Sequence, residues 1–175
     1  MAKRFIWKEG GIVSFKVKED LFTIGQMLKS PYVCFFQIQS PDGTFADVDL
    51  NATLELFVIP VARDFLQKRL YERISEGVKA KQDLALPELW IMPKMAFGGD
   101  FPWKGGDLVK IDHAVGDLGM ANKVVKRSIK ADEKEILEKY ELTSVWTDQG
   151  LVERLILCFG SGKNINPFKD RIFFG

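Results

Sequence analysis

The chain has 175 residues, of which 46% are hydrophobic and 12% aromatic, enough to bury a substantial core as one domain or at most two small ones. Its 25 Lys and Arg nearly balance its 24 Asp and Glu, leaving a formal net charge of +1, so no global field points at nucleic acid or an anionic membrane. No uncharged run approaches the roughly 20 residues a bilayer-spanning helix needs, and the opening MAKRFIWKEGG has no apolar stretch of signal-peptide length; both predict a cytoplasmic protein.

In chain order, Val13, Phe15 and Val17 alternate with Ser14, Lys16 and Lys18, the period of two of a strand with one wet face over residues 11–18. After the polar break at Glu19-Asp20, Phe22, Ile24 and Leu28 form the second strand of an antiparallel hairpin, in which Gly25 marks a bulge or a close backbone approach. The run YVCFFQIQ, apolar on both sides, reads as a central strand covered on both faces. Ser40-Pro41-Asp42-Gly43 then supplies the chemistry to reverse the chain into TFADVDL. TLELFVIP is a further strand ended by Pro60. Beyond it Ala62, Phe65, Leu66, Leu70 and Ile74 recur at spacings of three and four, predicting a helix over residues 61–76.

Residues 77–106, rich in Pro, Gly and Trp, read as a long ordered loop with a short strand near Leu89–Met92. DLVKIDHAV is a strand, and ADEKEILEKY, with Asp132 and Glu135 at capping-box spacing, is a second helix. LVERLILCF reads as a late strand before a Gly- and Asn-rich tail. This order predicts a single α+β domain over residues 1–175, built on a strongly curved antiparallel sheet or small β-barrel with two helices packed against it.

Chemistry-bearing side chains are sparse. Cys34 and Cys158 each lie in an apolar run without CxxC spacing and read as buried free thiols. The one histidine, His113, stands beside Asp112 on a predicted strand, where neighbouring side chains point to opposite faces. GSGKN at 160–164 lacks the spacing and the hydroxyl of a phosphate-binding loop and reads as a turn. The basic cluster Lys123, Lys126, Arg127 and Lys130 precedes a helix dense in Asp and Glu, which makes a solvated face of mixed sign. The expectation is a protein without catalytic residues, metal or cofactor. A carboxylate enzyme using Asp100, Asp107, Asp112 and Asp117 is the weakest alternative.

Local charge is more informative than the total. From Ser40 to Pro60 the chain carries four acidic residues, Asp42, Asp47, Asp49 and Glu55, and no basic one. With Asp47 and Asp49 two apart on a strand, both carboxylates would share one face and could receive the Lys and Arg of a partner. The same segment also reads as an ordinary charged edge.

In the N-terminal third a Gly-led strand carries Gly11, Val13 and Phe15, a second strand carries Phe22, Gly25, Met27 and Leu28, and an apolar strand with paired aromatics carries Phe35 and Phe36. In these features the chain resembles the immunity protein 26 family, over about residues 8–38. The resemblance implies a bacterial antidote that binds a cognate toxin domain, a nuclease first among the candidates, as in contact-dependent growth inhibition, and blocks it by occlusion. It transfers no catalytic motif. On that view the strands are scaffold for variable loops at 40–55 and 93–107. The candidate toxin-binding residues are Asp42, Asp47, Asp49 and Glu55, with Phe97, Phe101 and Trp103 of the irregular loop second. No direct nucleic-acid contact, membrane or small-molecule ligand is expected. The alternative is a small β-rich nucleic-acid- or peptide-binding module using Lys16, Lys18 and aromatic side chains.

Overall fold

The alternating and apolar runs of the first 60 residues fold into strands as their patterns require. A computed structural model describes residues 5–94, 104–114 and 122–175. Among them the strands are β1 (Ile12–Lys18), β2 (Leu21–Met27), β3 (Tyr32–Ser40), β4 (Val48–Asp49), β5 (Glu55–Pro60), β6 (Leu70–Ile74), β7 (Val78–Lys79), β8 (Leu89–Pro93), β9 (Gly106–Lys110) and β10 (Lys123–Ile129). The helices are α1 (Arg63–Arg69), α2 (Lys134–Lys139), α3 (Asp148–Ser161) and α4 (Pro167–Phe173). The chain divides into two compact units: the residues up to Leu86 with Val145–Ile165, and Pro87–Ser144 with Asn166–Gly175.

The first unit is an antiparallel sheet of five strands in the order β5-β3-β2-β1-β6. It is an open sheet with two edges, so neither the strongly curved sheet nor the small barrel foreseen from the sequence is formed among the described residues. The hairpin of β1 and β2 sets Val13 opposite Gly25 and Phe15 opposite Thr23. Gly25 meets both sequence expectations. The β2–β3 register shifts beside it, and a Cβ there would stand 2.6 Å from Val33 Cγ1 and 2.8 Å from Phe15 Cε2, so the backbone passes where no side chain fits.

The wet face expected of β1 is found only toward its end, where Lys16 is half-buried and Lys18 exposed. Ser14 on the same face is buried, with its hydroxyl 3.4 Å from the Glu72 carbonyl of the neighbouring β6. One face of the sheet packs against α1 and α3, where the rings of Phe15, Phe35, Phe57 and Phe65 pack together, Phe15 lying 5.5 Å from Phe35 and 5.1 Å from Phe65 between centroids. β2 is buried at every position. Gln26 ties it to the chain at Lys81, donating to the Lys81 carbonyl at 3.0 Å and accepting from its N–H at 2.8 Å.

Two elements differ from the sequence reading. The helix expected over 61–76 stops at Arg69, and Leu70–Ile74 becomes β6, because pairing with the exposed edge of β1 outweighs continuation of the helical pattern. The expected strand LVERLILCF is the body of α3, whose buried residues Leu151, Arg154, Leu155 and Cys158 recur at helical spacing while Ile156 and Leu157 stay exposed. Gly162 closes α3 in the left-handed conformation at φ 69°, so GSGKN, read as a turn, opens with the last two residues of α3 and turns only from Gly162.

Arg154 is fully buried on α3. Its guanidinium lies 3.8 Å from the Phe57 ring centroid and 4.7 Å from that of Trp146. Its Nε donates to the Ile165 carbonyl at 3.0 Å and Nη2 to Asn164 Oδ1 at 2.8 Å. Two aromatic faces and two oxygen acceptors replace the hydration it has lost.

An ion pair joins α1 to the first turn of α3. Arg69 Nε and Nη2 donate to the two oxygens of the largely buried Asp148 at 2.6 and 3.1 Å, and Arg69 Nη1 reaches the Val17 carbonyl at 3.2 Å. The Arg69 hydrogen bonds hold the Asp148 carboxyl below the usual carboxylate range. A depressed folded pKa means that this contribution is present above the unfolded value and is lost as pH falls through the folded one. Asp148→Asn should therefore cost about 2 kcal/mol at pH 7. The gap from the unsubstituted protein should close below about pH 4 in denaturation curves; a gap unchanged from pH 7 to pH 2 would contradict the assignment.

The second unit is a three-stranded antiparallel sheet in the order β10-β9-β8 with α2 and α4. Its core gathers Ile91, Leu108, Ile129, Leu137, Leu142 and Ile172. Asn166 caps α4 by accepting from the Lys169 N–H at 3.2 Å, and Lys169 Nζ donates to the Leu137 carbonyl of α2 at 2.7 Å. The two helices expected from sequence are thus four among the described residues, and the fold class is α+β. Cys34 and Cys158 are buried and form no disulfide, as read. Among the described residues no helix is long and apolar enough to cross a membrane.

Candidate partner-binding surface

The acidic segment begins where β3 ends. Ser40 Oγ donates to Asp42 Oδ1 at 2.7 Å and accepts from the Gly43 N–H at 3.1 Å, while the Thr44 N–H donates to the same carboxylate oxygen at 2.9 Å. These bonds close the Ser-Pro-Asp-Gly turn recognised in the sequence. The Thr44 backbone bond, then the Ser40 hydroxyl, hold the Asp42 carboxyl below its ordinary range. Gly43, at φ 85°, packs so closely that a Cβ would lie 3.0 Å from the Tyr71 ring and 3.1 Å from Phe22. Asp42 itself is exposed.

Asp47 and Asp49 do not share a strand face. Asp47 is exposed and adopts φ 53°, outside extended conformation, and β4 contains only Val48 and Asp49. β4 pairs in parallel with β7, Val48 against Val78 and Asp49 against Lys79. Asp49 is turned into a clasp. Its Oδ1 accepts from Asn51 Nδ2 at 2.7 Å and the Asn51 N–H at 2.9 Å, and its Oδ2 lies 3.2 Å from Lys79 Nζ. The Asn51 side-chain bond is the chief reason the carboxyl is held low. Asn51 extends the clasp to the Ala80 carbonyl at 3.1 Å and accepts from the Gln82 N–H at 2.8 Å. Glu55, the first residue of β5, pairs with Lys81 at 3.0 Å.

The four acidic candidates thus fall into two classes. Asp49 and Glu55 are each compensated by a lysine some 30 residues on in the chain, whereas Asp42 and Asp47 remain exposed on the turn between β3 and the clasp. Phe97, Phe101 and Trp103 lie outside the described residues, as do Asp100 and Asp117. Sequence reading missed what stands across from the turn. A groove of about 320 Å³ runs between Asp42–Phe45 and Tyr71–Glu76; only the reassignment of 70–74 from helix to strand brings those residues together.

Elsewhere, β9 ends before His113, which lies in the following turn with Nε2 2.7 Å from the Pro87 carbonyl, while Asp112 Oδ1 accepts from the Ala114 N–H at 2.9 Å. Asp107 Oδ1 accepts from the Ser128 N–H at 2.6 Å. Lys16 and Lys18 pair with Glu19 at 3.1 Å and Asp20 at 3.2 Å.

Residues 2–175 match the model of a family described as Domain of unknown function (DUF8309). No curated protein and no solved structure matches the chain.

Proposed function

Because the chain belongs to the DUF8309 family, whose description carries no activity, we propose its function from its own surface: it is an immunity protein that binds a cognate toxin domain, a nuclease, in the bacterial cytoplasm and neutralises it by occlusion. One observation carries the reading. The segment that presents Asp42 and Asp47 is tied to β3 through Ser40 and to β7 through the Asp49–Asn51–Lys79 clasp, so the exposed Asp42 carboxylate is held by hydrogen bonds and Asp47 stands on a backbone anchored on both sides. Preorganised charge of this kind costs little ordering on binding and complements the basic surface that a nuclease presents to its substrate. The resemblance over residues 8–38 supports the same reading, those residues forming β1, β2 and most of β3.

An interface of ordinary size, on the order of 1,600 Å², would extend beyond the two carboxylates to neighbouring aromatic side chains. The test is co-purification of the tagged chain with the polypeptide encoded directly upstream of its gene. A stable one-to-one complex, weakened as salt rises, is the expected result; no retained partner at low salt would remove the reading's support.

A second reading, a small nucleic-acid-binding module, is favoured by one feature. β10 is an edge strand with Lys123, Lys126 and Arg127 exposed. Lys126 is already paired with Glu133, which weakens it. A fluorescence titration with single-stranded RNA across salt concentrations separates the two, since only this reading predicts that RNA binds, with an affinity that falls steeply as salt rises.

A further inference from the structure

The two edges of the five-stranded sheet differ. β5 is buried at five of its six positions, and the chain closes over its end, with the Trp146 N–H donating to the Pro60 carbonyl and the Ala62 N–H to the Trp146 carbonyl, both at 2.9 Å. β6, at the other edge, is mostly exposed. Among the described residues, Tyr71–Ser75 make no backbone hydrogen bond beyond their pairing with β1. A row of backbone donors and acceptors is therefore left facing outward, which is a template for an added strand.

Beside this edge lies the groove bounded by Asp42, Gly43, Tyr71, Glu72, Arg73 and Glu76. Tyr71 is 54% exposed, yet its ring is fixed, edge-on to Phe22 at 4.8 Å and against Gly43. It is an aromatic anchor already in place before anything binds. Among the described residues that line it, Asp42, Glu72 and Glu76 stand with one cation, Arg73, whose guanidinium is engaged by the Ile6 carbonyl and lies 5.2 Å from the Phe5 ring centroid. The described lining thus has an excess of carboxylate.

We propose that the outer edge of β6 takes up an extended segment of a partner protein as a sixth strand, with basic side chains at alternating positions received by Asp42, Glu72 and Glu76. Main-chain hydrogen bonds supply the pairing, and the acidic rim selects the charge of the segment. A second copy of this chain fits poorly. Two-fold antiparallel pairing of β6 about its centre would set Glu72 directly against Glu72. The proposal names the kind of partner segment and rests on the antidote reading only for the identity of the partner as a toxin.

The probe is a fluorescein-labelled KVKVKVK peptide titrated into the full chain, with KVKPKVK and EVEVEVE as controls, followed by amide hydrogen exchange. KVKVKVK should bind one to one and protect Tyr71–Ile74. The central proline, which removes a ladder donor, should weaken binding at least about 10-fold, and EVEVEVE should not bind. Tyr71→Ala should weaken KVKVKVK by about 10-fold with the fold retained. Equal binding of the proline peptide, protection confined to another surface, or a dimer of the chain that buries β6 would each overturn the proposal. Failure of the two readings is distinguishable. Peptide uptake at β6 without any antidote activity would leave this edge standing, and antidote activity with β6 amides unprotected would remove it.

Discussion

Phe35→Ala should cost about 3–5 kcal/mol, measured as a shift in the denaturant midpoint at unchanged slope. Phe35 is wholly buried on β3, and its ring centroid lies 5.5 Å from those of Phe15 and Phe57 and 6.2 Å from that of Phe65. Truncation removes the transfer free energy of the ring and leaves a hole walled by three other aromatic rings on a sheet and helix that cannot close on it. Against a total of about 5–15 kcal/mol for a natural domain, the loss is a large share. A cost below about 1 kcal/mol would mean that the site collapses freely and that β3 is not the packed centre described above. The paired aromatics Phe35 and Phe36 are then scaffold, and their substitution should affect partner binding only through unfolding.

The second large effect concerns the surface. Asp42→Lys combined with Asp47→Lys should weaken the proposed toxin complex about 100-fold, some 2.7 kcal/mol, mainly through slower association at low salt. Lysine at position 42 also deprives the Thr44 N–H of its acceptor, so a stability loss of about 1 kcal/mol accompanies it. Asp42→Asn with Asp47→Asn separates the two effects. The asparagine oxygen can keep the Thr44 bond, and asparagine tolerates the positive φ at position 47, so folding should be retained while the charge is lost. Unchanged affinity in both double variants, measured by titration calorimetry at low and high salt, would locate the interface elsewhere.

What could be read from sequence was what local pattern determines. The alternation Val13-Phe15-Val17, the apolar run at 32–39 and the Ser-Pro-Asp-Gly turn each specify their element within a few residues, and β1, β2, β3, β5 and the turn appear where expected. What failed was settled by distant partners. Leu70 and Ile74 fit a helical spacing as well as a strand, and only the open edge of β1 decides between them. The run LILCF hid a helical set because both its buried and its exposed positions are apolar. The acidic face failed for a similar reason. Lys79 and Lys81, which compensate Asp49 and Glu55, lie outside any window that contains those carboxylates, and the left-handed turn at Asp47 breaks the alternation that would have aligned it with Asp49. Asp42 and Asp47 survive as candidates for the opposite reason, being exposed on a segment whose own backbone and side chains fix it.

The most direct measurement is growth of cells expressing the upstream-encoded polypeptide with and without this chain. Growth arrested by that polypeptide alone, restored by co-expression and lost again with the Asp42→Lys, Asp47→Lys variant, is the result expected of an antidote that acts through this surface. A polypeptide that harms nothing, or an arrest that this folded chain leaves unrelieved, would contradict the account.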